Sequence, residues 1–380
     1  MASTHAYVIF SAQYLPSMGG VENFTASLAK ELASQGHRVT VVTSQVPNTS
    51  SREDTQGFEV VRLPAYQLLN GRLPITHRTA AYERIWDYLL ELPCDRVLVN
   101  TRFYPHSLEG LRYAEAKGVP AVVLEHGSAP LTLGNPLADH AISAYEKIIT
   151  RLGARYEPRY AGISLAACRW LAAEFHIRTQ RVIPNAIAAA AFRAQASNRD
   201  FRSLASTGPQ DFVAAFIGRF VAEKGVLTCL GVAECLPQVS FVFAGSGPLD
   251  DEVRERCSKL SNATYVGRLD KADVSALLFQ ADCWVSPTLS EGMPTSLLEA
   301  GAWGTLPVIS PVGGVEDVLG PDGGPGELCS LEAGSVQAAL ERLAALSPED
   351  RQARSDEFRH RVETAFTWAD SARALDKAFE

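Results

Sequence analysis

The sequence predicts an α/β protein built from two doubly wound parallel-sheet domains. Short apolar runs alternate with helical patterns along the whole chain. The alternation lapses once, from about Ala186 to Gln210, into Ala, Ser, Asn, Thr, Gly and Pro. Several runs are apolar at consecutive positions, as strands covered on both faces are. The 380 residues suffice for two cores of ordinary size. The expected organisation is a first domain over 1–190, a linker over 191–210, a second domain over 211–360 and a C-terminal segment over 361–380.

In the first half, strands are expected at 6–10, 37–44, 58–64, 96–102, 121–127 and 159–164, with a further candidate at 181–185. The segment 21–36 reads as a helix. Val21, Phe24, Leu28 and Leu32 share one face, and Gly36 is placed to stop it. After the lapse, strands are expected at 212–219, 239–246, 263–268, 283–288, 307–310 and 326–329. Open parallel sheets bind ligands beyond the carboxyl ends of their strands, and the motifs below all fall there.

Composition narrows the function classes. Residues 1–190 hold 18 Lys and Arg against 16 Asp and Glu, whereas 191–380 hold 17 against 27. An acidic half and a near-neutral half without a dense basic run argue against nucleic acid as a partner. The seven cysteines are scattered with no C-x-x-C pair, which argues for reduced thiols and no metal cluster. The apolar run Ala6–Phe10 is too short for a signal-peptide core, and no run approaches the roughly 20 apolar residues of a spanning helix. A cytoplasmic protein is expected, at most peripheral to a membrane.

The most informative segment is CWVSPTLSEGMPTSLLEAGAWGTLPVIS, residues 283–310. A strand leads into a polar loop ending at Glu291, and a helix opens near Pro294, which is expected at the first helical position. Glu299 then falls on the second turn. The amides of Thr295, Ser296 and Leu297 and the helix dipole would make an anion site between the two carboxylates. Read alone, such a pair is two solvated acids. Its neighbours change that reading.

Arg219 follows a strand, and Lys224 lies five residues on, so two cations at one sheet edge can neutralise a diphosphate. The same edge carries the glycine turn 245–248, including Gly245. In the first half, Gly19 and Gly20 precede a helix, where the backbone can approach a phosphate, and Glu22 falls in its first turn. His126 ends a strand and could donate to a sugar hydroxyl or to developing charge. With no D-x-D, H-E-x-x-H or P-loop lysine motif, neither a metal nor a cofactor is expected.

Taken together, GGVE (19–22), LEHG (124–127), GIS (162–164), VIPNAI (182–187), IGRFVAEKG (217–225), FAGSGPL (243–249), YVGR (265–268) and SEGMPTSLLEAGAWGTLPVIS (290–310) resemble glycosyltransferase family 4. The resemblance spans nearly the whole chain, in the family's order. It implies the GT-B fold, two Rossmann-like domains facing a central cleft, and a retaining, metal-independent sugar transfer. Segment 366–379 resembles the family's C-terminal helix, which crosses back to the first domain.

Residue by residue, the resemblance implies that Gly20 approaches the donor diphosphate and that Arg219 and Lys224 bind it as the leaving group. Glu291, with amides from Gly292 through Met293 and Pro294 to Thr295, would hold donor-sugar hydroxyls and phosphate. Glu299 would accept from the ribose. Val266, Gly267 and Arg268 would meet the base, and His126 would lie beside the reacting sugar. Asn185 matches a motif residue without a role. Met293 stands where Phe is frequent and Trp303 where a small residue is usual, so donor identity is not inherited.

The expected activity is transfer from a nucleotide-sugar, UDP-sugar favoured and GDP-sugar as the alternative, to a glycan or lipid-linked glycan in cell-surface polysaccharide synthesis. The competing readings are a sugar-nucleotide epimerase or sucrose-phosphate-synthase-like enzyme, and a non-catalytic nucleotide-sugar-binding subunit. Arg62, Arg72, His77, Arg78 and Arg84 give the first domain a positive character that could meet an anionic inner-leaflet surface.

Overall fold

The computed structural model describes residues 4–16, 19–55, 57–69, 71, 73–130, 135–208 and 211–380. It divides into two compact units, residues 1–185 with 368–380 and residues 186–367.

The strands of the first unit are β1 (Ala6–Ser11), β2 (Arg38–Ser44), β3 (Arg52–Thr55), β4 (Phe58–Leu63), β5 (Ala65–Leu68), β6 (Leu73–Thr76), β7 (Arg96–Asn100), β8 (Ala121–Glu125) and β9 (Arg159–Gly162). Its helices begin with α1 (Gly20–Ser34), α2 (Ala80–Glu91), α3 (Pro105–Lys117), α4 (Pro136–Gly153) and α5 (Leu165–Phe175). The main sheet runs β3-β4-β2-β1-β7-β8-β9 and is parallel except for β3 at the edge. β1, β7 and β8 bury nearly every side chain, as the continuous apolar runs require. α1 lays Phe24, Leu28 and Leu32 against the sheet and ends before Gly36, whose φ of 87° suits glycine.

The second unit contains α6 (Ala189–Ala194), α7 (Phe201–Leu204), β10 (Phe212–Arg219), α8 (Val226–Cys235), β11 (Val239–Ser246), α9 (Asp250–Lys259), β12 (Ala263–Gly267), α10 (Lys271–Gln280) and β13 (Cys283–Ser286). It continues with α11 (Thr295–Trp303), β14 (Leu306–Ile309), α12 (Val315–Leu319), β15 (Glu327–Leu328), α13 (Ala333–Ala344) and α14 (Pro348–Ala365). Its sheet runs β12-β11-β10-β13-β14-β15, with every pairing parallel. In both units the order reverses beside the first strand, between β1 and β7 and between β10 and β13. At that point neighbouring loops leave toward opposite faces and open a crevice at the carboxyl edge.

Four expectations need adjustment. Residues 191–210 carry the end of α6 and all of α7, and Phe201 and Ala205 are buried against Val213, Ala215, Val242 and Ala244. Single aromatic anchors in a polar stretch hid two short helices. The candidate strand 181–185 is one bridge, Gly162 to Val182. The edge strand β3 and the hairpin β5–β6 were not foreseen, because REDT is polar and LPIT contains a proline. Arg62 is not on a basic surface: it is buried on β4, paired with Glu53 at 2.9 Å and donating to the Ser50 carbonyl. Arg72 lies outside the described residues, and Arg78 pairs with Glu109 at 3.2 Å.

The chain returns to the first unit at Trp368, where α15 (Trp368–Ala378) begins. α15 packs on α1, with Trp368 edge-to-face on Phe24 at 5.6 Å between ring centres. Asp376 takes hydrogen bonds from the Tyr7 hydroxyl and from Arg96, the latter at 2.7 Å.

Two glycines separate packing from open space. A Cβ at Gly301 on α11 would run into Val362 and Phe358 of α14, whereas one at Gly20 would meet nothing within 4 Å. Gly301→Val should lower stability by about 1–3 kcal/mol through overpacking, read as an earlier urea midpoint. Gly20→Ala should leave the midpoint unchanged or slightly later.

Candidate active site

In the second unit, β10 carries Arg219 to the carboxyl edge, where it is exposed and forms no ion pair among the described residues. The chain then makes a short 3-10 turn, Ala222–Lys224, and Gly225 follows at φ 71°. A Cβ there would collide with the Pro287 carbonyl of the neighbouring loop. Close approach is sealed by the Leu289 amide, which donates to the Glu223 carbonyl at 2.8 Å. This tie brings Lys224 onto Glu291 as an ion pair between half-buried side chains.

The Glu291 loop is held from its other side as well. Gly314 donates to the Gly292 carbonyl at 2.7 Å, and Gly313, at φ 58°, comes so near the Glu291 and Gly292 carbonyls that a side chain would not fit. Met293 is buried and rests on Gly314. This PVGG turn, residues 311–314, belongs to none of the motifs above, although two glycines at a strand end are the usual signal of close backbone approach.

α11 starts one residue later than expected. Pro294 is its N-cap, with φ −66° and ψ 119°, and Thr295 is the first helical residue. The Leu297 amide is already committed to the Pro294 carbonyl at 3.2 Å, so it does not join an anion site. Glu299, on the second turn, keeps part of its surface in water but accepts no hydrogen bond among the described residues. Burial pushes its carboxyl up to about 7, against the opposing pull of Lys271.

The remaining residues of this unit lie along the same edge. Gly245 ends near β10, where a Cβ would fall on the Gly218 carbonyl and on Phe220, so packing alone demands glycine there. β12 slips register against β11 after Phe243, which turns Val266 aside and leaves Gly267 at φ 70° and Arg268 exposed.

In the first unit, Gly19 caps α1 in extended conformation, and a Cβ on it would strike the Glu22 carboxylate folded back over it. Glu22 is buried, and burial raises its carboxyl above the ordinary value. His126 follows β8. Its Nε2 lies 2.9 Å from Asn100 Oδ1, and Phe24 packs edge-to-face on the ring at 5.0 Å. Desolvation pulls the imidazole down to about 3, so it is neutral near pH 7. Beneath it, Arg102 bridges Glu125 at 3.0 Å and Glu146 at 3.2 Å, and the Gly127 amide donates to Glu125 at 2.8 Å. Asn100, Arg102, Glu125 and Glu146 were not singled out from sequence. A polar residue closing the run RVLVN was the available signal for Asn100.

The chain is similar to known proteins over nearly its whole length. The family model described as Glycosyltransferase Family 4 matches residues 18–190, and that described as Glycosyl transferases group 1 matches residues 199–362. A phosphatidylinositol N-acetylglucosaminyltransferase subunit of Homo sapiens is 25% identical, over 99% of this chain and 76% of that protein. Among solved structures, sucrose-phosphate synthase from Thermosynechococcus elongatus shares 18% identity and superposes with a TM-score of 0.74, covering 99% of this chain and 98% of the other. HepE of Anabaena, in complex with UDP-glucose, gives 15% identity and a TM-score of 0.71, covering 98% of each chain. Two family models that tile nearly the whole sequence, on two doubly wound sheets, place the chain in glycosyltransferase family 4, with the GT-B fold.

Proposed function

We propose that this glycosyltransferase is a retaining, metal-independent enzyme that transfers a sugar from a nucleotide-sugar, a UDP-sugar in first place, to a glycan or lipid-linked acceptor. The observation that carries the reading is the juxtaposition of Arg219, Lys224, Glu291 and Glu299 at the β10–β13 switch point. Lys224 and Glu291 meet there, Arg219 ends β10 at the same carboxyl edge, and Glu299 follows on the second turn of α11. HepE was solved with UDP-glucose, and the human relative is named for transfer of N-acetylglucosamine to phosphatidylinositol. The first supports a UDP-sugar donor and the second an acceptor carried on lipid. With Arg62 buried, a basic membrane-facing surface would rest on Arg78, Arg84 and their neighbours.

Donor binding would break the Lys224–Glu291 pair and give each side chain a new partner: Lys224 the diphosphate, Glu291 a sugar hydroxyl. As the bond from the anomeric carbon to phosphate breaks, the leaving diphosphate gains negative charge beside Arg219 and Lys224. Preorganised cations stabilise that charge more than they stabilise the bound donor, and this difference lowers the barrier. The acceptor oxygen attacks the same face, and its proton passes to the departing phosphate oxygen. Glu299 would accept from the ribose, Gly20 would admit the diphosphate closely, and the segment from Val266 to Arg268 would line the base.

Lys224→Ala should lower kcat by about 10²–10³-fold while costing no more than about 1 kcal/mol of stability, since the pair it breaks is half-exposed. Sugar-transfer rates and urea melts of one preparation check both; near-normal turnover defeats the role.

Glu299 predicts a pH dependence. Its folded-state carboxyl titrates near 7, above its unfolded value, so the folded apo protein holds the extra proton between the two and loses stability as pH rises through that window. Ribose hydroxyls donate best to the ionised form, so UDP affinity should climb as pH passes 7. Glu299→Gln should flatten that climb, leaving only the nucleotide's own titration. Calorimetry from pH 6 to 8 on both proteins compares the slopes.

A thermal-shift panel of UDP, GDP, ADP and their sugars tests the function as a whole. A ligand at 100 times its Kd should stabilise by about 2.7 kcal/mol, and no shift with any nucleotide would end the reading. Retention is then read from the anomeric configuration of the product by NMR.

A further inference from the structure

A chain of side-chain hydrogen bonds runs through the first unit from α1 to His126. The Thr25 hydroxyl donates to the Val21 carbonyl at 2.7 Å, in the first turn of α1, which Gly19 caps and Gly20 begins. Its alternative acceptor, Ser11 Oγ, is 3.4 Å away and is itself donating to the Gln13 carbonyl at 2.8 Å. A hydroxyl has one proton, so toward Asn100 the Thr25 oxygen can only accept. The Asn100 atom facing it at 2.8 Å is therefore the amide nitrogen, and the oxygen of the same amide faces His126 Nε2 at 2.9 Å. An amide oxygen only accepts. His126 Nε2 must then carry the ring proton, and Nδ1 is left with a bare lone pair.

The surroundings keep it that way. Thr25 and Asn100 are 0% and 1% exposed, so water does not compete for their bonds. Phe24 pins the ring from one side and is itself backed by Trp368. Desolvation disfavours a second proton, which would otherwise sit on Nδ1. Asn100 closes β7 and Thr25 lies on α1 after β1, so the relay spans the first unit's switch point.

We propose that Thr25 and Asn100 are positioning residues that lock His126 in the Nε2–H tautomer, so that His126 accepts a hydrogen bond from a donor-sugar hydroxyl and cannot donate to one. This rests on the reading that places a sugar beside His126, and it reverses the donor role expected from sequence. The site would read a group with a proton to give, a free hydroxyl, and would disfavour a carboxylate or ester oxygen at the same place, where two lone pairs would meet. The relay also couples the sugar contact to the first turn of α1, because Thr25 anchors both.

The test begins on the unliganded protein. Two-bond ¹H–¹⁵N spectra of the histidine rings, with His126 assigned by its loss in His126→Gln, should show a protonated Nε2 and an unprotonated Nδ1 at pH 7. Thr25→Val keeps the shape but frees the Asn100 amide to turn over, and should give mixed tautomers. Thr25→Ser should restore the single one. A protonated Nδ1 in the wild type, or an unaltered spectrum in Thr25→Val, overturns the proposal without reference to any sugar. Affinities for UDP-glucose, UDP-N-acetylglucosamine and UDP then isolate the sugar contact. Thr25→Val should weaken whichever UDP-sugar binds by up to about tenfold, roughly the net worth of one hydrogen bond, with UDP unchanged and Thr25→Ser near wild type. The expected spectra with unaltered UDP-sugar affinity would overturn the acceptance of a sugar hydroxyl by His126. Absence of any nucleotide binding would instead defeat the sugar-transfer reading itself.

Discussion

A parallel sheet needs helices on both faces, and the chain can supply them only by reversing its winding direction beside the first strand. Nearly everything chemical in this protein depends on that reversal. Where β10 and β13 run side by side, one loop turns to α8 and the other to α11, and the gap between them cannot be filled by either crossover. Arg219 and Lys224 arrive on one side and Glu291 on the other. The first unit repeats the arrangement with β1 and β7, which bring the α1 glycines and Asn100 to its own carboxyl edge.

The gap alone would be a floppy place to hold charge. Its loops are instead tied backbone to backbone, Leu289 to Glu223 and Gly314 to Gly292. Those bonds fix the backbone of both loops before any ligand arrives, so that only the side chains of Lys224 and Glu291 would have to change partners. Ion pairing elsewhere shows how residues carrying an excess of acid could still meet an anionic ligand at this edge. Many of the carboxylates are spent elsewhere: Asp282 on Arg202 and Arg351, Asp273 on Arg199, Glu327 on Arg342 and Arg354. The field at one edge is set by a few fixed groups within a Debye length, and the net charge of the unit matters little there.

Much of this was legible in the sequence, for identifiable reasons. Doubly buried strands announce themselves as apolar runs, and β10 and β11 begin and end where the runs do. Segment 283–310 was readable because strand, polar loop and helix follow one another without interruption. What escaped was set by contacts distant in sequence. Nothing near Arg62 signals that Glu53 and the Ser50 carbonyl will bury it. Gly245 and Gly20 look alike on paper; only packing shows that one is demanded by the Gly218 carbonyl and the other by nothing in the protein. Pro294 fell one position outside its helix, a difference that φ alone cannot foretell because proline has the same φ in both places. The hydrogen-bond direction at His126 was unreadable, since it is decided by a threonine about a hundred residues upstream.

Trp368 gives residues 368–380 a weight out of proportion to their number. Its indole backs Phe24, which backs the imidazole, while Asp376 pins Tyr7 and Arg96 on the adjoining strands β1 and β7. The first domain is thus finished only when the second has already been made. A ribosome emitting this chain releases Phe24 before its Trp368 partner exists, and that contact forms only after the whole second unit has emerged. The last packing of the first unit therefore waits for residues translated after all of the second.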